Sequence, residues 1–106
     1  MNERVPDSAT PRNGRSLHGV KFLVSWRLEL TLLSREMAAA LARVPDYAAG
    51  LERNGKIVSR YHIVGAHGGV WIMDVDSHEE LERLLGGSPV YNFAHFEVTA
   101  LTAMSS

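Results

Sequence analysis

Five histidines in a chain of 106 residues are the side chains best suited to move protons near neutral pH. His67 lies in Gly65-Ala66-His67-Gly68-Gly69. In such a glycine-rich loop a side chain can be aimed into a cleft and backbone can pass close to a ligand; the bland alternative is a solvated turn. His62 shares one face of a strand with Arg60, and His95 shares one with Glu97. If that is the polar face of the sheet, both pairs read equally as a hydrated or intersubunit network. His18 falls in a polar N-terminal arm and His78 in the first turn of a helix, where solvation is expected. Asp46 and Tyr47 follow Pro45 and could point polar groups at a pocket. The chemistry these residues offer is general acid/base catalysis, with His67, His62 and Asp46 as candidate catalytic groups.

Other chemistries find no support. The chain has no Cys, which removes disulfides, thiolate zinc sites and cysteine nucleophiles. No H-x-H, H-E-x-x-H or facial-triad spacing occurs, so no metal is expected. The glycine loop joins strand to strand and precedes no helix, so it is not a phosphate cradle, and there is no serine elbow.

The elements that must position these groups are legible. Val20, Phe22, Val24, Trp26, Leu28 and Leu30 alternate with Lys21, Leu23, Ser25, Arg27 and Glu29, predicting a strand with one dry face. Residues 31–34 turn the chain, and Ser34 is a suitable N-cap for an alanine-rich helix reaching about Arg53. Pro45 is expected to kink or split that helix, and Asn54-Gly55 to end it. Strands are predicted over 56–64 and 70–75, the latter apolar on both sides and hence central. Ser77-His78-Glu79-Glu80 is a capping box opening a helix that packs through Leu81, Leu84 and Leu85 and stops at Gly86-Gly87. A last strand covers 93–101.

The order is β-α-β-β-α-β, which defines an α+β, ferredoxin-like domain with a four-stranded antiparallel sheet. Residues 1–19 read as a flexible arm, 20–102 as the domain and 103–106 as a tail. With helices on one face only, the other face must meet solvent or another subunit, so a homodimer or larger homo-oligomer is expected.

Trp26, Tyr61, Trp71, Tyr91, Phe93 and Phe96 are spread over the strands or their ends and mostly build the core. Small residues on the facing helix, Ala38 to Ala40 and Ala48 to Gly50, leave volume opposite them for a flat apolar ligand. A net charge of −1 offers no footprint for nucleic acid or an anionic membrane. No apolar run approaches the roughly 18 residues of a membrane span, and the N-terminus lacks a signal-peptide pattern, so a cytoplasmic protein is expected.

The strings Leu51-Glu52-Arg53-Asn54-Gly55-Lys56, His62-Ile63-Val64-Gly65, Asp74-Val75, Glu79-Glu80-Leu81, Pro89, and Phe93 through Glu97-Val98-Thr99 to Leu101 resemble the muconolactone Δ-isomerase family. The resemblance spans roughly Val20 to Thr102. It implies a dimeric α+β barrel, formed by sheets packing together, and assembly into larger rings. It also implies cofactor-free movement of a double bond in an unsaturated lactone, by proton abstraction and return; related members eliminate halide from similar lactones. In that reading His67 or His62 is the base, Arg27 or Arg60 the anion partner and Tyr61 a hydrogen-bond donor. The chain departs from the family's pattern where it has Tyr61-His62-Ile63 for tryptophan-arginine-isoleucine, and Gly65-Ala66-His67 for glycine-histidine-tyrosine. It also has Arg43-Val44-Pro45-Asp46 where the family carries an acidic, lysine-rich stretch.

The expectation is therefore a cofactor-free isomerase, lyase or cyclase acting on a small or polycyclic unsaturated oxygenated compound. Trp26, Arg27, Arg60, Tyr61, Trp71, Tyr91 and His95 are its candidate binding residues. Two readings stay open beside it: a cofactor-independent monooxygenase of aromatic polyketide tailoring, and a non-catalytic oligomer that binds small molecules.

Overall fold

The computed structural model describes residues 19–29 and 34–104. The expected arm up to residue 18, Leu30, most of the turn before the first helix and the last two residues of the tail lie outside the described residues. The chain forms β1 (Val20–Leu28), α1 (Arg35–Arg53), β2 (Ile57–His62), β3 (Gly68–Val75), α2 (His78–Gly86) and β4 (Ala94–Leu101). The strands make one four-stranded sheet in the order β2-β3-β1-β4, every neighbouring pair antiparallel. This is the ferredoxin-like order that the sequence predicts.

Strand alternation sets the two faces of the sheet. Phe22, Val24, Trp26 and Leu28 are buried beneath the helices and pair with Met73, Trp71 and Gly69 of β3 and with Ala100 to Ala94 of β4. Leu23 and Ile72 pair on the opposite face, which no helix covers, and both are half-buried. β3 is central, as its two apolar faces require.

Helix α1 begins where Ser34 Oγ accepts the Met37 amide at 3.1 Å, and buries Met37, Ala40, Val44, Ala48 and Leu51 along one stripe. The helix is not split in two: α1 runs 19 residues with Pro45 inside it. Proline in a helix interior costs about 3 kcal/mol. Here the buried stripe continues on both sides of Pro45, whose own ring is exposed, so packing holds the helix together. Gly55, at φ 77°, closes the end.

Strand β2 is shorter than the pattern suggests, because the Ile63 amide bonds to the Gly68 carbonyl and the chain turns there. It also carries a register shift between Ile57 and Ser59. The extra residue, Val58, places Ile57 opposite Met73 and Arg60 opposite Trp71, so both face the helices although their numbers differ in parity.

Two polar contacts fasten the helices. Tyr47, expected to face a pocket, instead donates its hydroxyl to the Leu84 carbonyl at 2.6 Å and ties α1 to α2. Burial pushes the Tyr47 pKa up, against the lowering pull of Arg83. At the start of α2, Ser77 Oγ accepts the Glu80 amide at 3.1 Å as predicted, but the Glu80 carboxylate reaches one residue further back, to the Asp76 amide at 2.7 Å. It also meets Lys56 Nζ at 2.9 Å and Arg83 at 3.4 Å. Burial of the Glu80 carboxyl raises its pKa, but the Asp76 amide and then Lys56 and Arg83 outweigh that, and the net direction is down.

Replacing Tyr47 by Phe removes one hydrogen bond and strands a buried carbonyl, so urea unfolding will show a loss of about 1–2 kcal/mol. For Glu80 the sign follows from a folded pKa below its ordinary value of 4.5. Its stabilisation is present above that value and is lost as pH falls through the folded pKa. Thermal midpoints measured from pH 7 down to pH 3 will therefore fall more steeply for the parent than for Glu80→Gln.

Candidate active site

Across the sheet, His62 of β2, Gly69 of β3 and Trp26 of β1 stand in one row on the helix face. The next row is Arg60, Trp71 and Val24. Gly69 has no side chain, so the first row has a gap at its middle, and the Trp26 indole leans into it: a Cβ at position 69 would stand 3.1 Å from Trp26 Nε1. Gly68 serves a different need. A Cβ there would collide with the Trp26 carbonyl, so β3 can approach β1 only with glycine at this position.

Above these rows lies a cavity of about 620 Å³. Its floor is Trp26, Trp71 and Gly69, and one wall is α1, through Leu41, Val44, Pro45 and Ala48. Polar groups gather at the β2 edge and the loop: Arg60, His62 and His67, with Glu52 and Tyr61 beside them. Arg60 Nε meets Glu52 Oε1 at 3.3 Å, both side chains about a third exposed. Such a pair adds little stability and serves mainly to orient the guanidinium. The loop itself is fastened, since the His67 carbonyl accepts the Leu28 amide at 2.8 Å.

Trp26 is only 5% exposed, and its Nε1 is the one buried side-chain nitrogen or oxygen among the described residues that finds no hydrogen-bond partner. The two indole rings stand 6.0 Å apart at 60°, a tilted aromatic contact.

The cavity thus brings together His67, His62, Arg60, Tyr61, Trp26 and Trp71. The other sequence candidates lie elsewhere. Asp46 is exposed and does not line the cavity, because the helical turn presents Pro45 and Ala48 there instead. Arg27 and His95 are register partners on the uncovered face, where His95 is 3.7 Å from Glu97. Tyr91 is 6.2 Å from Phe96 and lines a separate hollow between α2 and β4 with Phe22 and His78. His78 is exposed, as expected, and one side of its ring stands edge-on to Phe22 at 5.1 Å. Sequence reasoning missed Glu52 as the partner of Arg60 and Gly69 as the gap; both depend on cross-strand register. Among the described residues no group of three His, Asp or Glu side chains is placed to hold a metal ion.

A small ferredoxin-like α+β domain with an aromatic cavity between its first helix and its sheet defines the class of protein. The muconolactone delta-isomerase family profile matches residues 20–106, and the chain belongs to that family. The muconolactone delta-isomerase of Cupriavidus pinatubonensis is 40% identical over 60 residues, 57% of this chain and 65% of that protein. The enzyme of the same name from Acinetobacter baylyi is 40% identical over 55 residues, 52% of this chain and 57% of that protein. The matched part of the chain thus spans less than two thirds of the length of these two relatives. A crystal structure of muconolactone isomerase superposes with a TM-score of 0.70 over 81% of this chain and 92% of that one, at 24% identity, which establishes the shared fold.

Gly68→Ala tests the close approach of β1 and β3. Because the neighbour it would strike is backbone, chemical denaturation will show a loss of about 1–3 kcal/mol or more.

Proposed function

We propose that this protein is an isomerase that shifts the double bond of an unsaturated lactone by proton abstraction and return, without a cofactor. The observation that carries this reading is the convergence of two imidazoles, His62 and His67, and the Arg60 guanidinium on one aromatic cavity, in a chain of the muconolactone delta-isomerase family. A neutral imidazole takes a proton from a carbon conjugated with the carbonyl, and the electron pair left behind moves into the extended enolate. The imidazolium then returns a proton further along the system, which moves the double bond and restores the base. Arg60 holds the substrate's carboxylate, and Tyr61 donates a hydrogen bond at the rim. Trp26 and Trp71 form the floor that excludes water and keeps the ring flat.

Assembly belongs to the same reading: the uncovered sheet face, with half-buried Leu23 and Ile72, packs against a second copy, and Arg27 and His95 lie in that interface. The protein acts in the cytoplasm; among the described residues no helix is long and apolar enough to cross a membrane.

The cavity volume favours one wider possibility. About 620 Å³ falls in the range for drug-sized ligands, so polycyclic oxygenated substrates fit as well as a simple lactone. Oxygen consumption with a polycyclic phenol would move the assignment to a cofactor-independent oxygenase.

Proton exchange from D₂O into muconolactone, followed by NMR, tests the isomerase. The parent protein will exchange and isomerise the lactone, and His67→Ala or His62→Ala will lower kcat by about 10²-fold or more at whichever histidine is the base. Full turnover in both variants would remove imidazole catalysis.

A further inference from the structure

A buried hydrogen-bond donor without a partner costs about 1–3 kcal/mol, so a folded protein that keeps one has a use for it or a partner still to come. Trp26 Nε1 is such a donor. The indole belongs to the cavity lining, and its nitrogen sits at the glycine gap, in the register row that ends at His62. Strands are spaced about 4.8 Å apart, so the His62 and Trp26 backbones stand about two spacings apart, with no side chain from Gly69 between them. A flat ring seated over Gly69 would have an imidazole at one side and the indole N–H at the other. Arg60 lies one row away from the gap, so its guanidinium is placed for a carboxylate at the rim rather than for the reacting carbonyl.

We propose that Trp26 Nε1 donates a hydrogen bond to the carbonyl oxygen of the ligand, the oxygen that becomes anionic when a carbon conjugated with it loses its proton. Trp26 is then a catalytic residue, stabilising the enolate while His62 or His67 holds the proton; this rests on the isomerase reading above. The bookkeeping is that of a proton transfer. A C–H bond breaks, its electron pair passes through the new double bond to oxygen, and re-protonation at carbon reverses the flow, with nothing oxidised or reduced. The nitrogen is closed off from water, so ligand entry includes a swing of the indole about its χ2 axis. The missing side chain at Gly69 leaves room for that swing, which any Cβ there would oppose from 3.1 Å. The substrate class follows: a planar unsaturated ring bearing a carbonyl, with its acceptor oxygen innermost and its carboxylate at the Arg60 rim.

The test uses the ¹⁵N-labelled parent protein with muconolactone as the probe. The chain has two tryptophans, hence two indole N–H signals, and Trp71→Phe assigns them. With saturating lactone the Trp26 indole proton will move downfield as a new hydrogen bond forms. Trp26→Phe will lose about 10²-fold or more in kcat, the usual effect of removing one oxyanion donor, with KM little changed. Its ligand-free thermal midpoint will fall less than a packing defect of that size implies, because the stranded donor goes too. Catalysed proton exchange with an unmoved Trp26 signal overturns the proposal and leaves the isomerase standing. A downfield Trp26 signal without exchange supports the donor and ends the isomerase reading. Neither exchange nor shift overturns both.

Discussion

The approach of β3 to β1 at Gly68 and Gly69 is the constraint on which the rest of the molecule depends. Gly68 admits the neighbouring backbone, and Gly69 admits the neighbouring indole. With side chains at both, β1 could not keep its register with β3, and Trp26 could not lie over the sheet. The floor of the cavity would then be filled from below. The His67 carbonyl, bonded to the Leu28 amide, fastens the loop to the same end of β1. Position of the strand, orientation of the indole and placement of a candidate base are therefore three results of one local packing arrangement.

Much of the fold was legible because local chemistry and global packing agree. The alternation of β1, the apolar run of β3 and the cap at Ser77 each specify an element without reference to distant residues. Pro45 misled as to a split for the opposite reason: its cost is local, while the stripe from Met37 to Leu51 that overrides it is tertiary. Glu80 shows a smaller slip, with the cap formed but its carboxylate drawn to Asp76 and Lys56 by neighbours the sequence does not display.

The site was legible in kind and less so in place. His67, His62, Arg60 and the two tryptophans share a cavity, but which side of the sheet His62 would occupy could not be read from parity, because Val58 is an extra residue in β2. That bulge allows a core residue, Ile57, and two polar groups, Arg60 and His62, to share a face. His95 obeys simple alternation and so ends on the uncovered side with Arg27. The family resemblance placed the chain's departures at Tyr61-His62-Ile63. The structure gives them a geometric sense, since Arg60 supplies a guanidinium two residues before His62 on the same face.

The tryptophan pair has an optical consequence. Both indoles of the chain stand 6.0 Å apart in the floor of one cavity, on β1 and β3. Intrinsic emission from this protein is consequently a local reading, blind to α2 and β4 except through the sheet. Energy absorbed by either ring is shared across the strand pair, and the indole bands of the near-ultraviolet dichroism report whether those two strands remain in register. A dye or a ligand that enters the cavity will quench both rings together, so that occupancy and integrity of the central strands are registered by one pair of indoles.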